Sequence, residues 1–222
     1  MRGIKIGRDR FFSVLKEEGL LVKRKKNRTI TTRSYRRFRE HANLLKDKEI
    51  NKSEQAWVSD ITYLNCKGGP LYLSLITDVY SKKIMGYEVS DNLKTENNIK
   101  ALEMALKNRR YRDREIIHHS DRGFQYCSPS YTNKLREHGI KISMTTKYDP
   151  YENAIAERLN GILKDEFSIS DHRLEKVEVR KLVAASIKTY NKKRPHMSNY
   201  LMTPEKAHKK GKYKMKTYKK EY

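Results

Sequence analysis

Residues 56–90 read AWVSDITYLNCKGGPLYLSLITDVYSKKIMGYEVS, and this stretch decides the fold. Three runs rich in β-branched and aromatic residues, at 56–65, 71–79 and 82–90, are set apart by Cys66-Lys67-Gly68-Gly69-Pro70 and by a short polar break. Such runs bounded by turn residues read as strands, and short connections make neighbouring strands antiparallel. The expectation is a three-stranded antiparallel meander. Inside its first strand lies Asp60, flanked by Trp57, Val58, Ile61, Tyr63 and Leu64. An ionised carboxylate in a strand buried on both faces is costly unless a cation or an Arg partner compensates it.

Beyond residue 90 the period changes. Residues 93–108 place Ile99, Leu102 and Leu106 on one side of a helix. REIIHHSD, 114–121, is a short apolar strand that ends at Asp121. Ser128 is an N-cap with Pro129 at the first helical position, and Gly139 stops the helix they start. IKISM, 140–144, is a fifth strand, and helices follow at about 152–167 and 174–190. The stretch YNKKRPHMSNYLMTPEKAH reads as an irregular strap with two prolines. The fold class expected is α/β, a five-stranded mixed sheet flanked by helices, in an order that resembles ribonuclease-H-like domains.

The 222 residues carry 50 Lys and Arg against 27 Asp and Glu, a net charge of +23. Residues 1–48 hold 16 basic against 5 acidic residues, and 205–222 hold 8 against 2. Clustered positive charge of this size is suited to a polyanionic partner, above all nucleic acid. Lys23, Arg24, Lys25, Lys26, Arg36 and Arg37, interleaved with Tyr35 and Phe38, read as an arm that tracks a DNA backbone. Cys66 and Cys127 are too few for a zinc site and point to a reducing compartment. No apolar run is long enough to span a membrane and the first residues are charged, so the expected location is the cytoplasm.

Three acids stand out: Asp60 in its strand, Asp121 at a strand's carboxyl end, and Glu157 one turn into a helix. Open α/β sheets place their sites at carboxyl ends of strands. On its helix Glu157 shares a face with Asn153 and Lys164, while Ile155, Leu159 and Ile162 point the other way. Each acid alone has an ordinary explanation: an Arg-paired Asp, a turn Asp in Asp-Arg-Gly, a solvent-facing Glu. Together they make a hard oxygen site for Mg²⁺ or Mn²⁺, with room for two ions, and Lys164 can meet a phosphate.

At these residues the chain resembles a known family. WVSDITYL around Asp60, HSDRGFQY around Asp121 and ENAIAERLNGILKDE around Glu157 are similar to the three blocks of DDE transposases from bacterial insertion sequences. More specifically, they resemble the second-reading-frame product (OrfB) of the IS3 family, which shares the retroviral integrase core. The separation of Asp121 and Glu157, with 35 residues between them, is typical of that family. GRDRFFSVLKEEGLLVKRKK resembles the helix and basic linker before its core, and YNKKRPHMSNYLMTPEKA its C-terminal block.

The resemblance implies that Asp60, Asp121 and Glu157 are catalytic metal ligands and that Lys164 contacts transposon-end DNA; Asn153 and Arg122, close to these acids in sequence, are further candidate DNA contacts. It implies cleavage at transposon ends followed by strand transfer through a 3′ hydroxyl. The alternatives are a ribonuclease-H-like nuclease that only hydrolyses, and an inactive DNA-binding relative. Implied partners are double-stranded DNA (transposon ends and target), a first-frame product (OrfA) or a fusion to it, and further copies in the active complex, in a bacterial, nucleoid-associated setting. The expected domains are 1–48, a basic helix and linker forming a partial helix-turn-helix-like region; 49–204, the integrase core with its C-terminal helix and strap; and 205–222, a lysine-rich tail.

Overall fold

The computed structural model describes residues 6–21, 41–146 and 153–213. The chain divides into two compact units, 1–31 and 32–222. In the first, helix α1 (Arg8–Glu17) buries none of its residues and gives way to a left-handed Gly19 with φ 64°. Lys23, Arg24, Lys25, Lys26, Arg36 and Arg37 lie outside the described residues.

The second unit is built on five strands: β1 (Ala56–Leu64), β2 (Leu71–Asp78), β3 (Ile84–Ser90), β4 (Ile117–Ser120) and β5 (Lys141–Met144). Their order across the sheet is β3-β2-β1-β4-β5. The expected meander is present, with β1 antiparallel to β2 and β2 antiparallel to β3. β4 joins β1 in parallel, and β5 joins β4 in parallel. Asp60 therefore sits on the central strand.

Helices cover both faces. α2 (Thr95–Lys107), α3 (Phe124–Cys127) and α4 (Pro129–Glu137) belong to the side whose core holds Trp57, Ile76, Met85, Leu102, Tyr131 and Leu135. α5 (Ala154–Asp165) and α6 (Lys176–Lys192) cover the other, where Leu64, Leu71, Leu73, Leu75, Leu163, Val183 and Tyr190 pack together. α2 presses on β3 at Gly86, where an added Cβ would stand 2.1 Å from the Ala101 carbonyl oxygen. Only glycine permits this approach. Ser128 caps α4 as expected, its Oγ accepting from the Tyr131 N–H, with Pro129 opening the helix.

The strap is more ordered than its sequence suggests. After a 3-10 turn at Met197–Asn199 it forms α7 (Pro204–Lys210), capped by Thr203, with Ala207 and His208 fully buried. His208 Nε2 lies 3.0 Å from Glu54 Oε1 and its Nδ1 3.0 Å from Ser81 Oγ. Asp78 accepts from the Glu54 N–H and from the Ser81 hydroxyl. The boundary expected at residue 204 thus falls at the start of a helix docked into the core. The reason is one buried imidazole among lysines, which a composition reading takes for part of a solvated tail.

Candidate active site

β1 and β4 pair in parallel with Ala56 opposite Ile117, Trp57 opposite His118 and Val58 opposite His119. The offset is 61 residues at every pair, and 121 − 60 is also 61. Two residues past the last pair, this register sets Asp121 beside Asp60, on neighbouring strands that lie ~4.8 Å apart in a sheet. Asp121 has left the strand by then. Its Oδ1 accepts from the Gly123 N–H at 3.0 Å.

Asp60 alternates with Val58 and Thr62 on β1, on the sheet face covered by α5. That helix brings two side chains to it. The Asn160 amide donates to Asp60 Oδ2 at 2.6 Å, and Glu157, one turn earlier and half-buried, acts on Asp60 through its charge. Burial, then Asp121, and more weakly Glu157 push the Asp60 carboxyl up to about 7, against the Ile61 N–H and the Asn160 amide. Burial likewise raises Asp121, opposed by the Gly123 N–H. No Lys or Arg forms an ion pair with any of the three among the described residues. The Arg-paired alternative for Asp60 therefore has no partner there.

The donor set is hard oxygen with excess negative charge, and a divalent cation fits it. Among the described residues, however, no three His, Cys, Asp or Glu groups are drawn together tightly enough to hold one ion. Asp121 and Glu157 each come within electrostatic reach of Asp60, without the three closing around a single point.

The other expected residues lie as follows. Arg122 is half-buried, and its guanidinium donates to the Thr145 and Thr146 carbonyls at 2.7 and 2.6 Å, tying the segment after β4 to the end of β5. Lys164 is half-buried in the last turn of α5. Asn153, also expected to contact DNA, opens α5 as its N-cap residue. It is buried, and its amide donates to the Ser59 carbonyl at 3.2 Å, anchoring the start of α5 to β1.

Two neighbours went unnoticed in the sequence. Asn160 has no local signal apart from its place three residues after Glu157, which puts it one turn along the same helix. Behind Asp60, Ser59 Oγ and Tyr131 OH both approach His118 Nε2, at 2.7 and 2.9 Å. Burial, with His119 next to it, lowers His118 to about 3, so the imidazole is neutral and structural.

The chain matches the integrase core domain family over residues 50–150 and again over 138–204. It is 38% identical over 197 residues to the insertion element IS600 31 kDa protein of Shigella sonnei, covering 87% of this chain and 72% of that protein. It is 37% identical over 152 residues to transposase InsF for insertion sequence IS3A of Escherichia coli K12, covering 68% of this chain and 52% of the relative. The chain thus spans about half the length of that transposase. Among solved structures, the HTLV-2 integrase catalytic core in complex with magnesium superposes with a TM-score of 0.55 at 16% identity, over 71% of this chain and 97% of that one. That likeness establishes the ribonuclease-H-like fold of retroviral integrase cores. Two integrase-core matches and a relative covered over most of its length agree with the acidic blocks on β1, β4 and α5: the chain belongs to the IS3-family insertion-sequence transposases, of the DDE polynucleotidyl transferase class.

Proposed function

We propose that this chain is the catalytic subunit of a DNA transposase that cuts at transposon ends and joins them to another DNA site. The observation that supports the reading is the 61-residue offset of β1 and β4, which brings Asp121, just past the end of β4, within electrostatic reach of Asp60 while α5 presents Glu157 and Asn160 to the same carboxylate. Asp60, Asp121 and Glu157 would hold one or two Mg²⁺ or Mn²⁺ ions. When bound, such ions supply Lewis acidity to the attacking and leaving oxygens of an in-line displacement at phosphorus.

The chain's own residues position and balance charge. Asn160 holds Asp60 Oδ2, and Gly123 holds Asp121 Oδ1, so both carboxylates are oriented by the fold. Lys164, two turns along α5 from Glu157, offers a cation to a phosphate. In the first reaction a water oxygen bonds to phosphorus and the bond to the 3′ oxygen breaks, freeing a 3′ hydroxyl. In the second the oxygen of that hydroxyl bonds to the phosphorus of another phosphodiester while that strand's own bond to its 3′ oxygen breaks and leaves a new 3′ hydroxyl, so one phosphodiester replaces another and no energy-carrying cofactor is consumed. The basic residues at 1–48 would hold double-stranded DNA through counterion release. A first-frame product and further copies of the chain complete the proposed complex.

Glu157→Gln tests this reading. It should abolish Mg²⁺-dependent cleavage and joining of end-containing DNA while leaving salt-sensitive DNA binding nearly intact. Unchanged activity would sink the site assignment. Cleavage without joining by the wild type would favour a nuclease instead.

A further inference from the structure

On the side of α5 turned away from Asp60 lies a cavity of about 230 Å³, lined by Ile155, Arg158, Leu159 and Ile162 of α5, by Tyr190 of α6, and by Thr77, Lys82, Ala154 and His196. Its floor is apolar. Tyr190 is fully buried, and its hydroxyl is engaged with the Lys82 carbonyl at 2.9 Å. Among the described residues, cations outnumber acids at the cavity, with Arg158, Lys82 and Arg194 set against Glu166 and, acting on Lys82, Asp78. Arg158 is exposed and forms no ion pair among the described residues, and the Lys82 ammonium is half-buried with a hydrogen bond to the Val79 carbonyl. The carboxylate that acts on His196, Glu166, is already engaged by Arg194 in a two-point contact at 2.7 and 2.8 Å. The local field shows in His196, which burial, then Arg194, Lys82 and Arg158, lower to about 4 against the pull of Glu166.

A group seated here must be apolar enough to replace water against Ile155, Leu159, Ile162 and Tyr190, and must bring a negative charge to Arg158 and Lys82. A nucleobase suits the lining poorly, since the hydrogen-bonding groups on its edges would go unpaired against these walls. A metal cation is opposed by the charge.

We propose that this cavity binds a small amphiphilic anion, an aromatic or branched-aliphatic carboxylate whose apolar body sits between α5 and Tyr190 and whose charge meets Arg158 and Lys82. Ile155 and Arg158 flank Glu157 in the first turns of the same helix. A ligand there would touch the helix of the proposed metal ligand from behind. That coupling rests on the proposed role of Glu157; binding does not.

The test is calorimetric titration of the full chain with phenylacetate, with phenylacetamide and acetate as controls lacking the charge or the ring. Phenylacetate should bind saturably and about tenfold or more tighter than either control. Ile155→Trp, which fills the cavity, should abolish that preference, and Arg158→Glu, at an exposed position outside the core, should weaken phenylacetate by at least about tenfold. Equal binding of acetate and phenylacetate would overturn the proposal by assigning the effect to surface charge. So would the absence of saturation, or full affinity in Arg158→Glu. A strand-transfer assay with and without phenylacetate then reads the coupling separately. A bound ligand without effect on joining would discard the coupling and leave the site.

Discussion

The side-chain amide of Asn160 donates to Asp60 Oδ2 at 2.6 Å, across the interface between α5 and β1. Asp60 lies on the central strand and Asn160 one turn after Glu157, so this bond, with the Asn153–Ser59 contact at the start of α5, ties the helix carrying one acid directly to the strand carrying another. It also opposes the burial that raises the Asp60 carboxyl.

Replacing Asn160 by Ala should slow strand transfer by about ten- to a hundredfold, the range expected for a hydrogen bond to a charged group acting on the transition state. Losing a donor that favours the ionised form should also move the metal-free Asp60 titration upward, readable by NMR. A variant with reduced activity but an unmoved Asp60 titration would show that Asn160 acts only through packing.

Asp60 supplies a pH signature. Its carboxyl titrates at about 7 in the folded chain against an ordinary value of 3.8, so between those values the folded chain binds more protons than the unfolded one. Unfolding free energy then falls as pH rises through that window. Asp60→Asn should remove this contribution, so that in metal-free buffer the variant gains stability relative to wild type as pH rises towards 7. Mg²⁺ should raise the wild-type melting temperature more at neutral than at acidic pH, and do little for the variant.

The Glu54–His208 contact at 3.0 Å holds α7 to the core. Burial alone would raise Glu54, but hydrogen bonds from His208 and from the Arg110 and Tyr111 N–H groups outweigh it and lower the carboxyl. Burial alone would lower His208, but Asp78 and Glu54 outweigh it and raise the imidazole. The Glu54 contribution is lost as pH falls through its depressed value, and the His208 contribution as pH rises above 6.5 through its raised value. His208→Ala should cost about 1–3 kcal/mol in chemical denaturation, because it removes one partner of a buried carboxylate that keeps the Arg110 and Tyr111 N–H groups and Arg109, whose Nε lies 3.6 Å away. Glu54→Gln combined with it should cost less than the sum of the two changes.

Gly86→Ala places a methyl 2.1 Å from the Ala101 carbonyl oxygen and 2.7 Å from the Ala105 nitrogen. Both are backbone atoms of α2, so the helix itself must move. The expected loss is about 1–3 kcal/mol or more, seen as a lower melting temperature. Trimming the neighbouring side chain with Ala105→Gly should not restore it, since the close contacts are to backbone.

Much of the fold was legible because its signals are local. The runs at 56–90, the Ser128-Pro129 helix start and the apolar stripes of α2 and α6 are each written within a dozen residues. The acids could be picked out for the same reason: a charged residue amid Trp57, Val58, Ile61 and Leu64 conflicts with its own strand. The Asn153 hydrogen bond was not legible, since whether a polar side chain at the start of α5 meets solvent or the Ser59 carbonyl depends on which strand lies beneath it. α7 was missed because Ala207 and His208 show their burial only against Glu54, Asp78 and Ser81, more than a hundred residues away.

By itself the sequence determined the five strands, the longer helices and the three acids, since side-chain period and turn chemistry act over neighbouring residues. Only the tertiary structure decided that β1 and β4 pair at an offset of 61, which makes Asp60 and Asp121 neighbours, and that Asn160 faces the first of them. It also decided that the far side of α5 leaves a cavity between Ile155 and Tyr190. Register, helix rotation and voids are settled by contacts between segments distant along the chain, and no local pattern encodes them.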